Sequence, residues 1–208
     1  VENPTPDDLA RATAVNALTL AILVAGYLIM LVPFGALVRA AGDALSGDRP
    51  DPGRSYRVAL NRYRRLVGTF GVQTVVVLVL SMTLVGIPLA AFFFVKWLLA
   101  QQVVVLENAR TRPALSRSWA LVRGAWWRTL AVFLFFALAT LIPSTVAEYA
   151  VRLLLFPLGG LALDVVVTLA ALAASAAVGV AGSAFALTGI TVLYYDLKAR
   201  EAQRVGPA

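Results

Sequence analysis

The sequence contains no cysteine and no histidine among its 208 residues. The first absence excludes a disulfide, a thiolate metal centre and a cysteine nucleophile. The second removes the commonest general base and the commonest transition-metal ligand. Charge is scarce too: 14% of residues are Asp, Glu, Lys or Arg, against about 25% in a soluble domain. Acids are the scarcer kind, 11 against 18 basic residues. With 60% of the chain hydrophobic and a mean hydropathy of +0.82, a soluble domain, a disordered chain and a coiled coil are all excluded. The net charge of +7 and pI of 10.4 are therefore read as the positive-inside bias of a membrane protein. No RNA- or DNA-binding module is recognisable around the arginines, so no nucleic-acid partner is expected.

A spanning helix needs about 20 mostly apolar residues. Five stretches qualify: roughly 13–38, 66–85, 88–106, 129–147 and 165–193. Asp7 and Asp8, after Pro6, mark a helix start before the first. The second and third come from one apolar run, residues 66–106, too long for a single crossing; Gly86-Ile87-Pro88 near its middle reads as a tight turn. Residues 153–163, broken by Pro157, Gly159 and Gly160, read as a loop or interfacial segment. The expected fold is all-α: one integral membrane domain over residues 1–208, a polytopic transmembrane helix bundle. Residues 1–11 lack the basic start and apolar core of a signal peptide.

The basic residues order these spans. Segment 39–65 carries seven arginines, segment 107–128 carries five, and the tail after Leu193 holds Lys198, Arg200 and Arg204. The opposite side has only Arg11 and Arg152. Such asymmetry places both large loops and the C-terminus in the cytoplasm, across a bacterial inner membrane. Five spans leave Val1 outside; an upstream span preceding this chain would return the N-terminus to the cytoplasm.

Two basic segments have helical periodicity. Within 113–128, Leu115, Trp119, Val122 and Trp126 recur on one face, with Arg117, Arg123 and Arg128 around it. This predicts a helix lying in the membrane interface, anchored by Arg117, Trp119, Arg123, Trp126, Trp127 and Arg128. Segment 54–65, with Tyr56, Leu60 and Tyr63 on one side, predicts a second. Membrane lipids are the expected partners, through general anchoring or specific binding.

The same residues carry a family resemblance. A Pro start (Pro88), an internal Lys96-Trp97, and Glu107 at the end of the third span come first. Ala114-Leu115-Ser116-Arg117-Ser118-Trp119 follows, then Gly124-Ala125-Trp126-Trp127-Arg128 leading into the fourth span. Near the C-terminus stands Tyr194-Tyr195-Asp196 followed by basic residues. Over roughly residues 31–201 this pattern resembles the membrane domain associated with glycerophosphoryl diester phosphodiesterases and a related group of poorly characterised bacterial polytopic membrane proteins. In some members that domain precedes a soluble phosphodiesterase domain, to which the resembling residues do not belong. The resemblance thus implies a helical membrane domain and no phosphodiesterase activity.

Charges inside spans are functional candidates. Lys96 lies about 12 Å into the bilayer, at about 1.5 Å per residue from Pro88. It either lines a cavity and meets an anion, or snorkels beside Trp97, or pairs with Asp164 or a carbonyl. Glu107 is on the same face but about 16 Å further along, too far to pair with Lys96. Glu107, Arg117, Asp196 and Arg200 share one membrane face, and Glu107 or Asp196 is expected to pair with Arg117 as a structural tie. In the last span Ser175, Gly179 and Ser183 recur every four residues, with Ala173, Ala177 and Ala181 alongside. That is either a close-packing face toward a neighbouring helix or subunit, or plain alanine richness.

Chemistry finds little support. An intramembrane aspartyl protease needs two facing aspartates, and Asp164 lies at the opposite membrane face from Asp196, about 40 Å away. Serine hydrolysis lacks a histidine, and no phosphate-cradling glycine loop occurs. No catalytic residue, metal or cofactor is assigned. The expectation is a non-enzymatic scaffold, accessory subunit of a membrane complex or lipid-contacting module, assembling with other membrane subunits or with itself. The alternative is a transporter or permease component for a small or lipidic anion, with Lys96 in its pathway.

Overall fold

Two of the helices are far longer than any bilayer requires. In the computed structural model, which describes residues 6–155 and 161–205, α1 runs Pro6–Leu45 and α8 runs Leu161–Val205, 40 and 45 residues. At 1.5 Å per residue these reach about 60 Å or more, twice a hydrocarbon core. Their ends must therefore project beyond the membrane. Between them lie α2 (Pro52–Asn61), α3 (Tyr63–Ser81), α4 (Gly86–Trp97), α5 (Ala100–Glu107), α6 (Thr111–Leu121) and α7 (Trp126–Leu155). There is no strand among the described residues. Five helical stretches are long and apolar enough to span a membrane: Arg11–Leu45, Tyr63–Ser81, Gly86–Glu107, Trp126–Leu155 and Val166–Gln203. The protein is an all-α membrane bundle.

Several boundaries differ from the sequence reading, each for a local reason. The turn after α3 occupies residues 82–85, and Gly86 already begins α4. Pro88 sits in that helix's first turn, where a missing N–H is harmless. Gly86 is required there because a Cβ would strike the Leu80 carbonyl, and Thr83 Oγ1 accepts the Gly86 amide at 3.0 Å. The third span is not one straight rod. It breaks at Leu98 and Leu99 between α4 and α5, where the Gln102 amide in its satisfied orientation donates to the carbonyls of both residues at 3.3 Å. Lys96 and Glu107 thus belong to separate helical pieces.

Segment 54–65 is also two pieces. Asp51 caps α2, its carboxylate accepting the Gly53 amide at 3.0 Å, and after Arg62 the chain has already entered α3. Segment 113–128 likewise divides: α6 stops at Leu121, Gly124 takes a positive φ of 81°, and Trp126, Trp127 and Arg128 open α7. Residues 153–155, read as loop, continue α7, and 161–163 begin α8; Pro157, Gly159 and Gly160 lie outside the described residues.

The core lies toward the basic end. Leu66, Leu99, Val103, Val104, Val105, Leu121, Val122, Leu193 and Tyr194 pack there with little or no exposure. Toward the other end, Leu18, Ile22, Val75, Leu84, Val85 and Ile142 are exposed. Lipid tails are as apolar as these side chains, so such surfaces cost nothing in a bilayer.

Candidate functional site: the basic end of the bundle

Hydrogen bonds bring the three basic segments together at one end. Arg62 Nη1 donates to the carbonyls of Val104 and Val105 at the C-terminus of α5, a favoured place for a cation. Burial, then repulsion from Arg39 and Arg65, lowers the Arg62 guanidinium from its ordinary value. Arg65 Nη1 donates to the carbonyl and side-chain oxygen of Asn108, at 2.8 and 2.6 Å. Asn108 is the left-handed residue (φ 57°) that ends α5. The α2–α3 and α5–α6 connections are tied by these bonds.

Glu107 is the centre of a second set. Tyr194, fully buried on α8, donates its hydroxyl to Glu107 Oε1 at 2.5 Å. Lys198 Nζ lies 3.1 Å from the same oxygen, and Arg117 Nε lies 3.7 Å from Oε2. Arg117 makes its better pair with Glu201, Nη1–Oε1 at 2.7 Å and Nη2–Oε2 at 2.6 Å, a bidentate fork. That bond, ahead of the opposing effect of burial, raises the Arg117 guanidinium above its ordinary value. The expected Arg117 tie therefore uses Glu107 and, more closely, Glu201. Asp196 pairs elsewhere: with Arg128 of α7 at 3.0 Å and with Arg200, one turn on, at 3.0 Å. Glu201, Tyr194 and Lys198 were missed by sequence reasoning. Spacings of four and three put them on one helical face, a signal that appears once α8 is allowed to continue past Leu193.

The tryptophans divide between protein and surroundings. Trp119 and Trp126, both half-buried, pack with α4 around Phe92: centroids are 5.7 Å apart for Phe92–Trp119 and 6.2 Å, nearly parallel, for Phe92–Trp126. Trp127 stays 77% exposed and Arg123 is exposed, so these two retain an outward role. The buried face of α6 is Ala114, Ser118 and Leu121, next to the Leu115–Trp119 stripe the periodicity picked out. Ser118 Oγ donates to the Lys96 carbonyl at 2.8 Å and locks α6 onto α4.

Lys96 is 7% exposed. Its ammonium sits 5.2 Å from the Trp119 ring centroid and 5.5 Å from that of Phe92, a cation–π arrangement. It has no carboxylate partner among the described residues, and the side chain of Asp164 lies outside them. Grooves of about 390 and 170 Å³ flank α6, the first walled by Trp97, Trp119 and Arg123, but Lys96 lines neither. Gln101 on α5 is buried with both amide atoms unpartnered among the described residues.

The small residues of α8 fall differently from their spacing. Gly179 has nothing within 4 Å of where a Cβ would stand, and Ser175 and Ser183 bond their own helix at Leu172 and Val180. The close approach of α8 to α7 uses Gly182, against Thr140, and Gly189, against the Phe136 ring. No group of three His, Cys, Asp or Glu able to hold a metal occurs among the described residues.

Comparisons with protein-family models, with curated proteins and with solved structures gave no match to this chain.

Proposed function

We propose that this is a non-enzymatic inner-membrane protein, a scaffold, accessory subunit or lipid-contacting module of the phosphodiesterase-associated membrane-domain type, with its basic end in the cytoplasm. One observation carries the reading. Three acids of the basic end join helices: Glu107 to Arg117 and Lys198, Glu201 to Arg117, and Asp196 to Arg128. Groups held in such mutual pairs are poor acids or bases for catalysis, because leaving the pair strands its partner. The tie is architectural, and the surfaces left outside it are apolar rods, Trp127 and unpaired arginines, the chemistry of a lipid boundary.

Transport of an anion finds less support. Lys96 is covered by two aromatic rings and lines neither groove beside α6. The test is purification in mild detergent with identification of co-purifying lipids and proteins. Retained anionic lipid or a stoichiometric membrane partner is the expected result. If Lys96→Leu keeps the fold and abolishes uptake or binding of an anion, the scaffold reading loses to transport.

A further inference from the structure

We propose that a basic groove between α3 and the α5–α6 connection binds a phosphate anion, presented in the membrane by the headgroup of an anionic phospholipid. This rests on the lipid-contacting reading above and gives it a site. The groove encloses about 910 Å³ and is lined by Asn61, Arg64, Arg65, Arg110, Thr111 and Arg112, with no carboxylate in its wall. Arg65 is engaged with Asn108. The side chains of Arg64, Arg110 and Arg112 make no hydrogen bond or ion pair with any described residue. Four other arginines at this end are paired, Arg39 with Asp43, Arg117 with Glu201, Arg128 and Arg200 with Asp196, all within 3.0 Å, while Arg49, Arg54, Arg57 and Arg123 have no such pair among the described residues but do not line this groove. Around this groove the cations converge and the acids are missing.

Guanidinium groups lining one groove repel one another unless an anion lies between them, and a phosphate offers several acceptor oxygens to planar donor forks. Position selects the source of that phosphate. Arg64 and Arg65 stand in the first turn of the spanning helix Tyr63–Ser81, so the groove opens where apolar chain meets water, the depth of lipid phosphates. Arg110, the N-cap of α6, makes no side-chain capping bond. The free amide donors of that turn add to the arginines without replacing them.

The experiment uses the full chain in detergent, titrated with phosphatidylglycerol or phosphatidylcholine and read as lipid adducts by native mass spectrometry. The variant Arg64→Gln/Arg110→Gln/Arg112→Gln is compared with a charge-matched control, Arg49→Gln/Arg54→Gln/Arg57→Gln. Wild type and control should prefer phosphatidylglycerol. The groove variant should bind it about a hundredfold more weakly, from about fivefold per basic residue near an anionic surface. Because the three side chains touch no partner, its helical circular dichroism should be unchanged. Should it fail to fold, Arg64→Gln and Arg112→Gln alone should each show about a fivefold loss. Equal losses in groove variant and control overturn the site and leave lipid contact standing as diffuse electrostatics. No lipid preference in wild type overturns the site and the lipid-contacting reading together. Displacement of the lipid by millimolar inorganic phosphate supports the anion site and overturns the lipid as its source.

Discussion

Glu107→Leu should be among the most damaging single changes at the basic end. Glu107 receives a buried hydroxyl and two cations from α8 and α6. Leucine fills a similar volume, so the loss is chiefly polar. A hydrogen bond to a carboxylate is worth about 1.5–3 kcal/mol when its donor is buried and has no second acceptor. Tyr194, at 0% exposure, meets the first condition. Lys198 and Arg117 are 46% and 34% exposed in their side chains; at that exposure each pair adds at most about 0.5 kcal/mol. The sum is about 1.5–4 kcal/mol, most of it from the tyrosine. Stability is measured by unfolding in mixed micelles of mild and denaturing detergent, followed by tryptophan fluorescence. Lys198→Ala should cost under about 1 kcal/mol. Tyr194→Phe combined with Glu107→Leu should fall short of the sum of the single changes by about 1.5 kcal/mol. A Glu107→Leu variant no weaker than Lys198→Ala, or a cycle additive within about 0.5 kcal/mol, would refute the assignment of Glu107 as the hub.

Three further outcomes are expected. Gly189→Ala should destabilise the α7–α8 pair by about 1–3 kcal/mol, since the added methyl overlaps the rigid Phe136 ring, and Phe136→Leu should rescue part of the loss; Gly179→Ala, facing open space, serves as the silent control in thermal melts. Exchanging charges as Arg117→Glu with Glu201→Arg should restore the melting midpoint lost in either single variant, whereas Arg117→Asp with Asp196→Arg should not, because Asp196 faces Arg128. Lys96→Met should leave stability within about 1 kcal/mol, the lost cation–π contacts offsetting the relief of a buried charge; a loss above about 3 kcal/mol in the same unfolding assay would mean that Lys96 holds a polar partner.

The five crossings and the shared end of the basic segments were legible because both depend on composition over long windows, where lipid allows few alternatives. Boundaries were less legible. At the break at Leu98–Leu99 the buried Gln102 amide bonds the carbonyls of both residues, a local side-chain bond that hydropathy does not register. The Leu115–Trp119–Val122–Trp126 stripe suggested one continuous helix, yet Gly124 with positive φ divides it and hands Trp126 to α7. The Ser175–Gly179–Ser183 repeat is not the face that α7 packs against. Small residues permit close approach but do not choose which face is approached, and on α8 the bulk of Phe136 and Thr140 selects Gly189 and Gly182. Of the two partners expected for Arg117, Glu107 is found and Asp196 is not; the closer partner, Glu201, lies beyond Leu193, where the sequence reading ends the last span.

That overrun of α8 explains why the basic end is the buried end. Inside the bilayer, helix faces gain nothing from hiding apolar surface from water, so α7 buries no residue except Thr129. Where the rods emerge, water returns and the hydrophobic effect with it. There α8 contributes Leu193, Tyr194 and Leu197, which pack with α5, the closing part of the third spanning stretch, where six consecutive residues, Ala100–Val105, are buried. The same emerging turn of α8 carries Lys198 and Glu201 to Glu107 and Arg117, so apolar packing and ion pairing act on one short stretch of chain. Ending α8 at Leu193 would remove both at once. A truncation there should therefore loosen α6 and the α5 terminus, read as faster amide exchange in Thr111–Leu121, while the α7–α8 contacts at Gly182 and Gly189 persist.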